Sequence, residues 1–215
     1  PNSRLIVFQS VRRDTNSDGV FNSKDKAGVY IVDSRGIETI IANDNFRNLS
    51  AIFSPDSKFV LVSSIRRDTN KDGKIDSLDN RGIYLIDIKG KKAEGPEGKK
   101  KIVSDEYDNE PLAFSPDGKS IIYASYRNDT NKDGSINSGD NRSLYLASVP
   151  GIYDDSVLGQ ELQIINDKYD NKFLSFYPDG KRIIFESWRK DTNQDGEINI
   201  LDNSNLYLID VMSMP

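Results

Sequence analysis

The sequence contains no cysteine and no histidine. Without cysteine it can form no disulfide, no thiolate metal site and no thiol nucleophile. Without histidine it has no imidazole metal ligand and cannot assemble a Ser-His-Asp triad. The chemistry that remains is that of paired carboxylates, as in glycosidases, and no Gly-x-Ser-x-Gly nucleophile elbow occurs. We therefore expect a protein that is not an enzyme, and we predict no catalytic residue.

Long apolar runs and an excess of basic residues are missing as well. No run of about eighteen apolar residues occurs, so we expect no membrane-spanning segment. Lysine and arginine number 29 against 34 acidic residues, and the net charge of −5 disfavours a nucleic-acid partner. The first residues carry no signal-peptide pattern, which indicates a mature chain or a fragment. The absence of cysteine suits an exported protein, periplasmic or extracellular.

What the sequence does contain is the motif Asp-Thr-Asn-x-Asp-Gly, in four copies that start at Asp14, Asp68, Asp129 and Asp191. In each copy, oxygen-bearing side chains stand at positions 1, 3, 5, 9 and 12 of a twelve-residue stretch, with glycine at position 6. This is the spacing of an EF-hand-like calcium loop, in which position 7 supplies a backbone carbonyl. The alternative interpretation of a single copy is a polar turn, and four copies with one spacing favour calcium over it.

The sequence therefore predicts four Ca²⁺ ions, one in each loop. Position 12 is aspartate in every copy where glutamate is usual, so this shorter carboxylate would bind through one oxygen or draw the chain closer. The second copy has four carboxylates at the side-chain ligand positions and the others have three, which predicts the highest affinity at the second site. The predicted metal ligands are Asp14, Asn16, Asp18, Val20, Asn22, Asp25, Asp68, Asn70, Asp72, Lys74, Asp76, Asp79, Asp129, Asn131, Asp133, Ser135, Asn137, Asp140, Asp191, Asn193, Asp195, Glu197, Asn199 and Asp202.

One strand pattern surrounds all four loops. Alternating apolar and β-branched residues, bounded by Gly, Asn and Asp, predict a strand on either side of each loop. The later strand carries a tyrosine at a constant offset, for which we expect a packing role: Tyr30, Tyr84, Tyr145 and Tyr207. The predicted strands are 4–10, 59–64, 120–125 and 182–187 before the loops and 28–33, 82–87, 143–148 and 205–210 after them.

Two further strands complete the repeat. A third strand is predicted at 38–41, 100–103 and 161–165, and short loops carrying Asp-Asn follow at 44–45, 108–109 and 170–171. The fourth strand runs into a Pro-Asp-Gly/Ser-Lys turn at 54–58, 115–119 and 177–181. Proline presets φ in such a turn and glycine takes its left-handed position, so the turn joins two antiparallel strands as a hairpin.

The segment Leu112–Tyr123 reads Leu-Ala-Phe-Ser-Pro-Asp-Gly-Lys-Ser-Ile-Ile-Tyr and resembles the Pro-Asp-signature, WD-like repeat of TolB-like β-propellers. Residues 53–61 and 176–185 match the same signature, which is also seen in the propeller domains of prolyl-oligopeptidase-type peptidases. The resemblance implies a propeller fold and an exported, binding-type protein, and it carries over no catalytic residue. The calcium loops depart from the plain repeat, which has a short turn in their place.

We therefore predict an all-β protein, a β-propeller of four repeat blades in a single domain or partial propeller over 1–215. Each blade is a four-stranded antiparallel meander, A to D, with its calcium loop between B and C. The pattern begins at a B strand and ends at a C strand. This favours part of a larger propeller, or an assembly whose partner covers the open edges, over a closed four-bladed ring. Solvated insertions are expected at 89–101 and 151–159. The blades are approximately 1–43, 44–104, 105–166 and 167–215.

Three functions are compatible with these patterns. We favour a non-enzymatic, calcium-stabilised scaffold or adhesion module whose partner is another protein or a second copy of the chain. The alternatives are a calcium-dependent glycan-binding module and the propeller domain of a larger hydrolase or peptidase. Arginines near the loops would offset acidic charge, a role favoured over contact with a partner; they are Arg12, Arg13, Arg66, Arg67, Arg127 and Arg189.

Overall fold

The computed structural model describes residues 5–43, 46–88, 99–149, 161–165 and 167–211, with only the backbone of Lys99. Over these ranges all of the regular structure is β-strand. No helix in the described ranges is long and apolar enough to cross a membrane. The insertion predicted at 151–159 and the Asp-Asn pair at 44–45 lie outside the described residues, as does the insertion at 89–101 except for its last three residues.

The strands match the alternating segments of the sequence closely. They are β1 (Leu5–Ser10), β2 (Gly28–Asp33), β3 (Glu38–Ala42), β4 (Arg47–Phe53), β5 (Phe59–Ile65), β6 (Gly82–Asp87), β7 (Lys99–Val103), β8 (Asn109–Phe114), β9 (Ser120–Ser125), β10 (Ser143–Ser148), β11 (Glu161–Ile165), β12 (Asn171–Phe176), β13 (Arg182–Ser187) and β14 (Asn205–Asp210).

The strands form four antiparallel sheets in which neighbours along the chain are neighbours in the sheet. The orders are β1-β2-β3, β4-β5-β6-β7, β8-β9-β10-β11 and β12-β13-β14. The predicted all-β class and the meander of each blade are therefore confirmed. As expected, the first sheet contains the B, C and D strands of the pattern and the last contains A, B and C.

The described residues divide into two compact units, with the first extending to Pro111 and the second beginning at Leu112. In the first unit, apolar residues of sheets one and two form a common core that includes Val29, Ile31, Val60 and Val62. In the second unit, sheets three and four share a core of the same kind around Ile122, Leu144, Ile183 and Phe185. Strands such as β5 are apolar almost throughout because both of their faces are covered.

The repeated tyrosine packs as the sequence predicts. Tyr30, Tyr84 and Tyr145 are buried, and each follows a β-bulge in the pairing of its strand with the next one. A bulge increases local twist and re-aims a side chain. Three of the four tyrosine rings stack on an aromatic residue of the preceding strand. The centroid separations are 5.6 Å for Phe8–Tyr30, 5.3 Å for Tyr123–Tyr145 and 5.4 Å for Phe185–Tyr207.

The Pro-Asp turns connect β4 to β5, β8 to β9 and β12 to β13. In the third repeat, the Ser115 N–H donates to the Ser120 carbonyl at 2.8 Å and the Gly118 N–H donates back to Ser115 at 2.9 Å. Gly118 has φ of +74° and Gly180 of +70°, whereas Ser57 holds the same left-handed position at +57°. The predicted turn chemistry is confirmed. Since an L residue is strained in this region, Ser57 is the least favourable of the three.

Candidate metal sites

The four motif copies form the connections β1–β2, β5–β6, β9–β10 and β13–β14. Each loop turns through the left-handed region twice. Glycine at position 6 has φ between +81° and +90° in all four loops. A Cβ built on these glycines would meet no atom within 4 Å, so the dihedral angle and not the available space requires glycine there. Position 4 is also left-handed, with φ of 61–63°, at Ser17, Lys71, Lys132 and Gln194.

The tip of each loop gathers the side-chain oxygens of positions 1, 3 and 5, as the third loop shows. The Asp133 N–H donates to Asp129 Oδ1 at 3.1 Å and to Asn131 Oδ1 at 3.0 Å. The Gly134 N–H donates to Asp129 Oδ2 at 2.9 Å, and the Ser135 N–H donates to Asp133 Oδ1 at 2.8 Å. Two carboxylates and an amide oxygen therefore face one short run of backbone on the exposed side of the loop.

The base of each loop is built around the aspartate at position 12. Asp140 is only 6% exposed, and its Oδ1 accepts the Thr130 N–H at 2.7 Å and the Asn131 N–H at 3.2 Å. Its Oδ2 accepts the Asn137 N–H at 2.9 Å. The Thr130 hydroxyl donates to the same carboxylate and accepts the Asn141 N–H at 2.8 Å. The same bonds recur at Asp25, Asp79 and Asp202.

These buried aspartates are held in the anionic form. For Asp25 and Asp202, the backbone N–H of Asn22 and Asn199 makes the largest contribution, and the pKa of each carboxyl lies below its ordinary value. For Asp79 and Asp140, burial acts to raise the pKa, but hydrogen bonds from several backbone N–H groups outweigh it and the pKa is lowered. The cause is hydrogen bonding to the charged form.

The structure places the predicted side-chain ligands of each loop at different points. Positions 1, 3 and 5 meet at the tip, whereas position 12 lies at the base, where the position 9 backbone N–H bonds to it. The position 9 side chain instead accepts the N–H of position 11. Among the described residues, no three carboxylates converge closely enough to hold a metal ion by themselves. Amide and carbonyl oxygens would therefore have to complete any coordination shell, and the ligand set stays a prediction.

The fourth loop differs from the others at position 1. In the first three loops, Oδ1 of that aspartate accepts the N–H of position 5. In the fourth, Asp191 Oδ2 accepts the Gly196 N–H at 2.9 Å, but Asp191 Oδ1 is buried and has no hydrogen-bond partner. A buried carboxylate oxygen without a partner is costly, and the side-chain oxygens of positions 1, 3 and 5 are the kind of donor that suits a hard cation.

Two repeated residues have roles that sequence reasoning did not identify: the threonine was given none, and the arginine only that of offsetting acidic charge. The threonine at position 2 ties the two ends of each loop together through position 12, and its presence in all four copies was the available signal. The arginine two residues before each loop lies over the repeated tyrosine, with its guanidinium carbon 4.3, 4.8, 4.2 and 4.4 Å from the ring centroid for Arg12, Arg66, Arg127 and Arg189.

Three of these arginines also pair with an acid of their own sheet or its entry loop. Arg12 pairs with Glu38, Arg127 with Glu161 and Arg189 with Asp167. Two further arginines donate to backbone carbonyls, Arg13 to Asn43 at 3.0 Å and Arg67 to Ser104 at 2.7 Å. The arginines therefore anchor the loops to the sheets through rings, acids and carbonyls outside the twelve-residue motif.

A buried asparagine opens the first strand of three repeats. Asn109 and Asn171 belong to the Asp-Asn pairs expected from sequence, and each is at most 1% exposed. Asn48, at 2% exposure, is their counterpart in the second repeat. It stands five residues before the phenylalanine of the Phe-Ser-Pro-Asp signature, as Asn109 does. The alignment of the pair at 44–45 with the other two was therefore wrong, since Arg47-Asn48 occupies that position.

A bidentate ion pair joins each of two loops to the following strand. Arg81 Nε and Nη2 donate to Asp108 Oδ1 and Oδ2 at 2.8 and 2.5 Å. Arg142 and Asp170 make the equivalent pair, with both separations 3.2 Å. After the first loop, Ala27 stands where the other two junctions have the arginine, and Arg47 stands where they have the aspartate. The junction after the first loop therefore lacks the pair found at the other two.

No protein-family model and no curated protein matches the sequence. Solved structures do match the fold. TolB from Acinetobacter baumannii is similar with a TM-score of 0.56 at 20% identity, over 97% of this chain and 39% of TolB. A puromycin-hydrolysing peptidase of Mycobacterium tuberculosis gives a TM-score of 0.57 at 15% identity, over 98% of this chain and 29% of the peptidase.

The acylaminoacyl peptidase of Pyrococcus horikoshii is similar over 96% of this chain and 29% of its own, with a TM-score of 0.54 at 12% identity. The chain thus spans well under half the length of each of these proteins. At such low identity the similarity shows the fold alone. The four sheets match part of the β-propellers of TolB and of these peptidases, which agrees with the resemblance of the Pro-Asp repeats.

Proposed function

We propose that the protein is a non-enzymatic, calcium-binding propeller module that serves as an exported scaffold for a protein partner. The observation that carries the proposal is the gathered tip of the four loops. Oxygens of positions 1 and 3 share the N–H of position 5 in three of the loops, and the position 5 carboxylate accepts the N–H of position 7. The fourth loop leaves Asp191 Oδ1 buried without a partner. Carboxylates placed this close repel one another, and a divalent cation removes that repulsion.

Calcium would act on the loops and leave the sheets unchanged. Each loop joins two adjacent strands whose spacing is set by backbone hydrogen bonds at about 4.8 Å, so an ion has no hinged element to move. It would stabilise the folded state because it binds there and not to the unfolded chain. This is the behaviour of a structural ion and differs from that of an EF-hand sensor, in which a pair of helices opens.

The partner surface that we propose is the ordered loops themselves. They expose large apolar side chains that a solvated turn does not need, among them Phe21 at 64%, Leu78 at 72% and Leu201 at 74% exposure. Exposed apolar groups on a positioned loop are typical of protein contacts. Double substitution of Phe21 and Leu78, which lie on the two loops of the first unit, by serine should weaken partner capture or self-association without changing calcium binding.

One alternative is supported by a specific observation. The similar peptidases are more than three times as long as the part that this chain matches. The chain would then be the propeller portion of a larger hydrolase whose catalytic residues lie in other sequence. The two proposals are separated by expressing the protein with its flanking sequence and assaying peptidase activity, since the scaffold proposal expects none.

The calcium proposal is tested by titrating the metal-free protein calorimetrically. We expect four ions per chain, with chelator lowering the melting temperature. Magnesium at the same concentration is the control, because its demand for near-octahedral coordination suits these loops poorly. Binding of one ion per chain, or none, would overturn the assignment.

A further inference from the structure

The first unit contains a cleft of about 320 Å³ between its first two loops. Residues 23–26 of the first loop and 75–77 of the second line it, together with Phe46, Arg47 and Ile65. Its volume lies at the lower end of the range for ligand sites, which is suitable for a ligand about the size of a monosaccharide. Asp25 and Asp76 of this lining are predicted calcium ligands, but none of the functions considered above places a ligand in the cleft itself.

The charges of the cleft favour an anion. Lys24, Lys26 and Arg47 contribute three cations, against the carboxylates of Asp25 and Asp76. Both oxygens of Asp25 already accept hydrogen bonds from the backbone, and Asp76 Oδ1 accepts the Leu78 N–H at 2.9 Å. Within the described residues Arg47 forms no ion pair, and the residue as a whole is partly buried. Its guanidinium therefore offers five N–H donors that no described carboxylate takes up.

Comparison with the equivalent junctions shows what is missing. At the other two, the position of Arg47 holds an aspartate and the position of Ala27 holds an arginine, and the two residues form a bidentate pair, Arg81–Asp108 and Arg142–Asp170. At this junction the cation, Arg47, stands at the position that holds the carboxylate elsewhere, and the opposite position holds Ala27, which has no charge. The side-chain charge is therefore reversed at Arg47 and removed at Ala27, both at the same junction.

We propose that the cleft binds the carboxylate of a small polar ligand, with Arg47 as its bidentate partner. The ligand carboxylate would take the role that Asp108 and Asp170 have at the other junctions. The planar guanidinium fork matches a carboxylate in geometry, and Lys24 and Lys26 add positive charge beside it.

The neutral part of the lining defines the rest of the ligand. Phe46 provides a ring whose position is fixed by Arg66, with 4.7 Å between the guanidinium carbon and the ring centroid. Ile65 and Ile75 add apolar surface, and the Ser23 and Ser77 side chains add hydroxyl groups. An acidic sugar combines a carboxylate, hydroxyl groups and an apolar ring face, so it matches all three kinds of lining group.

Resonance shifts of the isotopically labelled protein test the proposal directly. In calcium-containing buffer, D-glucuronate and acetate are added as carboxylate probes and D-glucose as the neutral control. We expect glucuronate to shift the backbone amides of residues 23–26 and 46–47 with a dissociation constant on the order of 1 mM, acetate to shift the same amides more weakly, and glucose to shift none. Shifts with glucose equal to those with glucuronate, or no shifts at these residues, would overturn the proposal.

Two variants make the test specific. Arg47→Asp should weaken glucuronate binding by at least about tenfold. The double variant Ala27→Arg/Arg47→Asp rebuilds the ion pair of the other junctions, so it should fold and should also lose binding. Lys119→Asp changes an exposed lysine outside the lining and should leave binding unchanged. Glucuronate binding that survives in the double variant contradicts the proposal. Calcium titration of the same variants should still give the wild-type stoichiometry, which separates this result from the calcium proposal.

Discussion

The base and the tip of each Asp-Thr-Asn-x-Asp-Gly loop satisfy their charges in different ways. At the base, the carboxylate of Asp140 is buried and accepts three backbone N–H groups and a threonine hydroxyl. At the tip, Asp133 is exposed, and its carboxylate and that of Asp129 accept consecutive backbone N–H groups, from Asp133 and Gly134 to Asp129 and from Ser135 to Asp133. The polypeptide alone stabilises the base, whereas the tip concentrates negative charge that only a cation or solvent can offset.

The comparison separates two kinds of stability. The base should hold the loop closed whether or not calcium is present, because its hydrogen bonds belong to the chain. The tip should depend on calcium, because its carboxylates repel each other when the ion is removed. The first three predictions below each act on one end of the loop and leave the other as a reference.

Removing calcium should have the largest effect. Binding to the folded state contributes about 2.7 kcal/mol per site at a hundredfold excess over the dissociation constant, so four sites give on the order of 10 kcal/mol. Chelator should lower the melting temperature sharply and expose the loop tips to protease. The β-type circular dichroism should persist at low temperature, and calcium should reverse the change. A large, reversible change in overall shape would instead indicate a switch.

Asp140→Asn should have the next largest effect, and it should appear with and without calcium. The new amide would place a donor against one of the backbone N–H groups that the carboxylate now satisfies, at a cost of about 2 kcal/mol. The melting temperature should therefore fall by roughly 4–8 °C in calcium and in chelator alike. Thermal melts under both conditions measure this, and a loss confined to calcium would mean that the base depends on the ion as well.

Asp133→Asn makes the same chemical change at the tip. It should lower the stability of the protein by less than Asp140→Asn does, and only in the presence of calcium. The amide oxygen can still accept the Ser135 N–H, so the metal-free loop keeps its turn. The variant loses one ligand charge, so we expect calcium affinity at that site to fall about tenfold. This corresponds to a loss of about 1.4 kcal/mol in the free energy of unfolding when calcium is present. Melting in chelator should be unchanged. A drop in chelator equal to that of Asp140→Asn would remove the distinction between base and tip.

Arg127→Ala should have a smaller effect still, and that effect should again be independent of calcium. Arg127 lies over Tyr145 and pairs with Glu161, and the loss of such contacts costs about 1 kcal/mol. Arg35→Ala removes an exposed pair with Asp33 and should cost less than about 0.5 kcal/mol. Denaturant melts can compare the two. An equal loss of unfolding free energy in the two variants would show that the contact of Arg127 with the tyrosine ring adds no stability.

The sheets could be predicted from the sequence almost residue by residue. The bounds of β9, β10, β13 and β14 agree with the predicted strands at both ends, because alternation and turn residues are local signals. The loops could be located for the same reason, since their motif is contiguous. What each loop residue contacts could not be derived in the same way.

The unpredicted features depend on residues that are distant in sequence. Thr130 meets Asp140 only because the loop folds back across ten residues, and Arg127 reaches Glu161 from thirty-four residues away. The match of Asn48 with Asn109 was missed because Arg47 interrupts the Asp-Asn pair that marks the other repeats. Spacing from the Phe-Ser-Pro-Asp signature would have identified it.

The most direct test of the central claim is a calorimetric calcium titration of the metal-free protein and of Asp76→Asn. The account predicts four ions per chain, one for each loop, with the tightest site in the second loop because it has the additional carboxylate of Asp76. Asp76→Asn should bring that site to the affinity of the other three and keep the stoichiometry at four. A stoichiometry of one or zero for the unmodified protein would contradict the account.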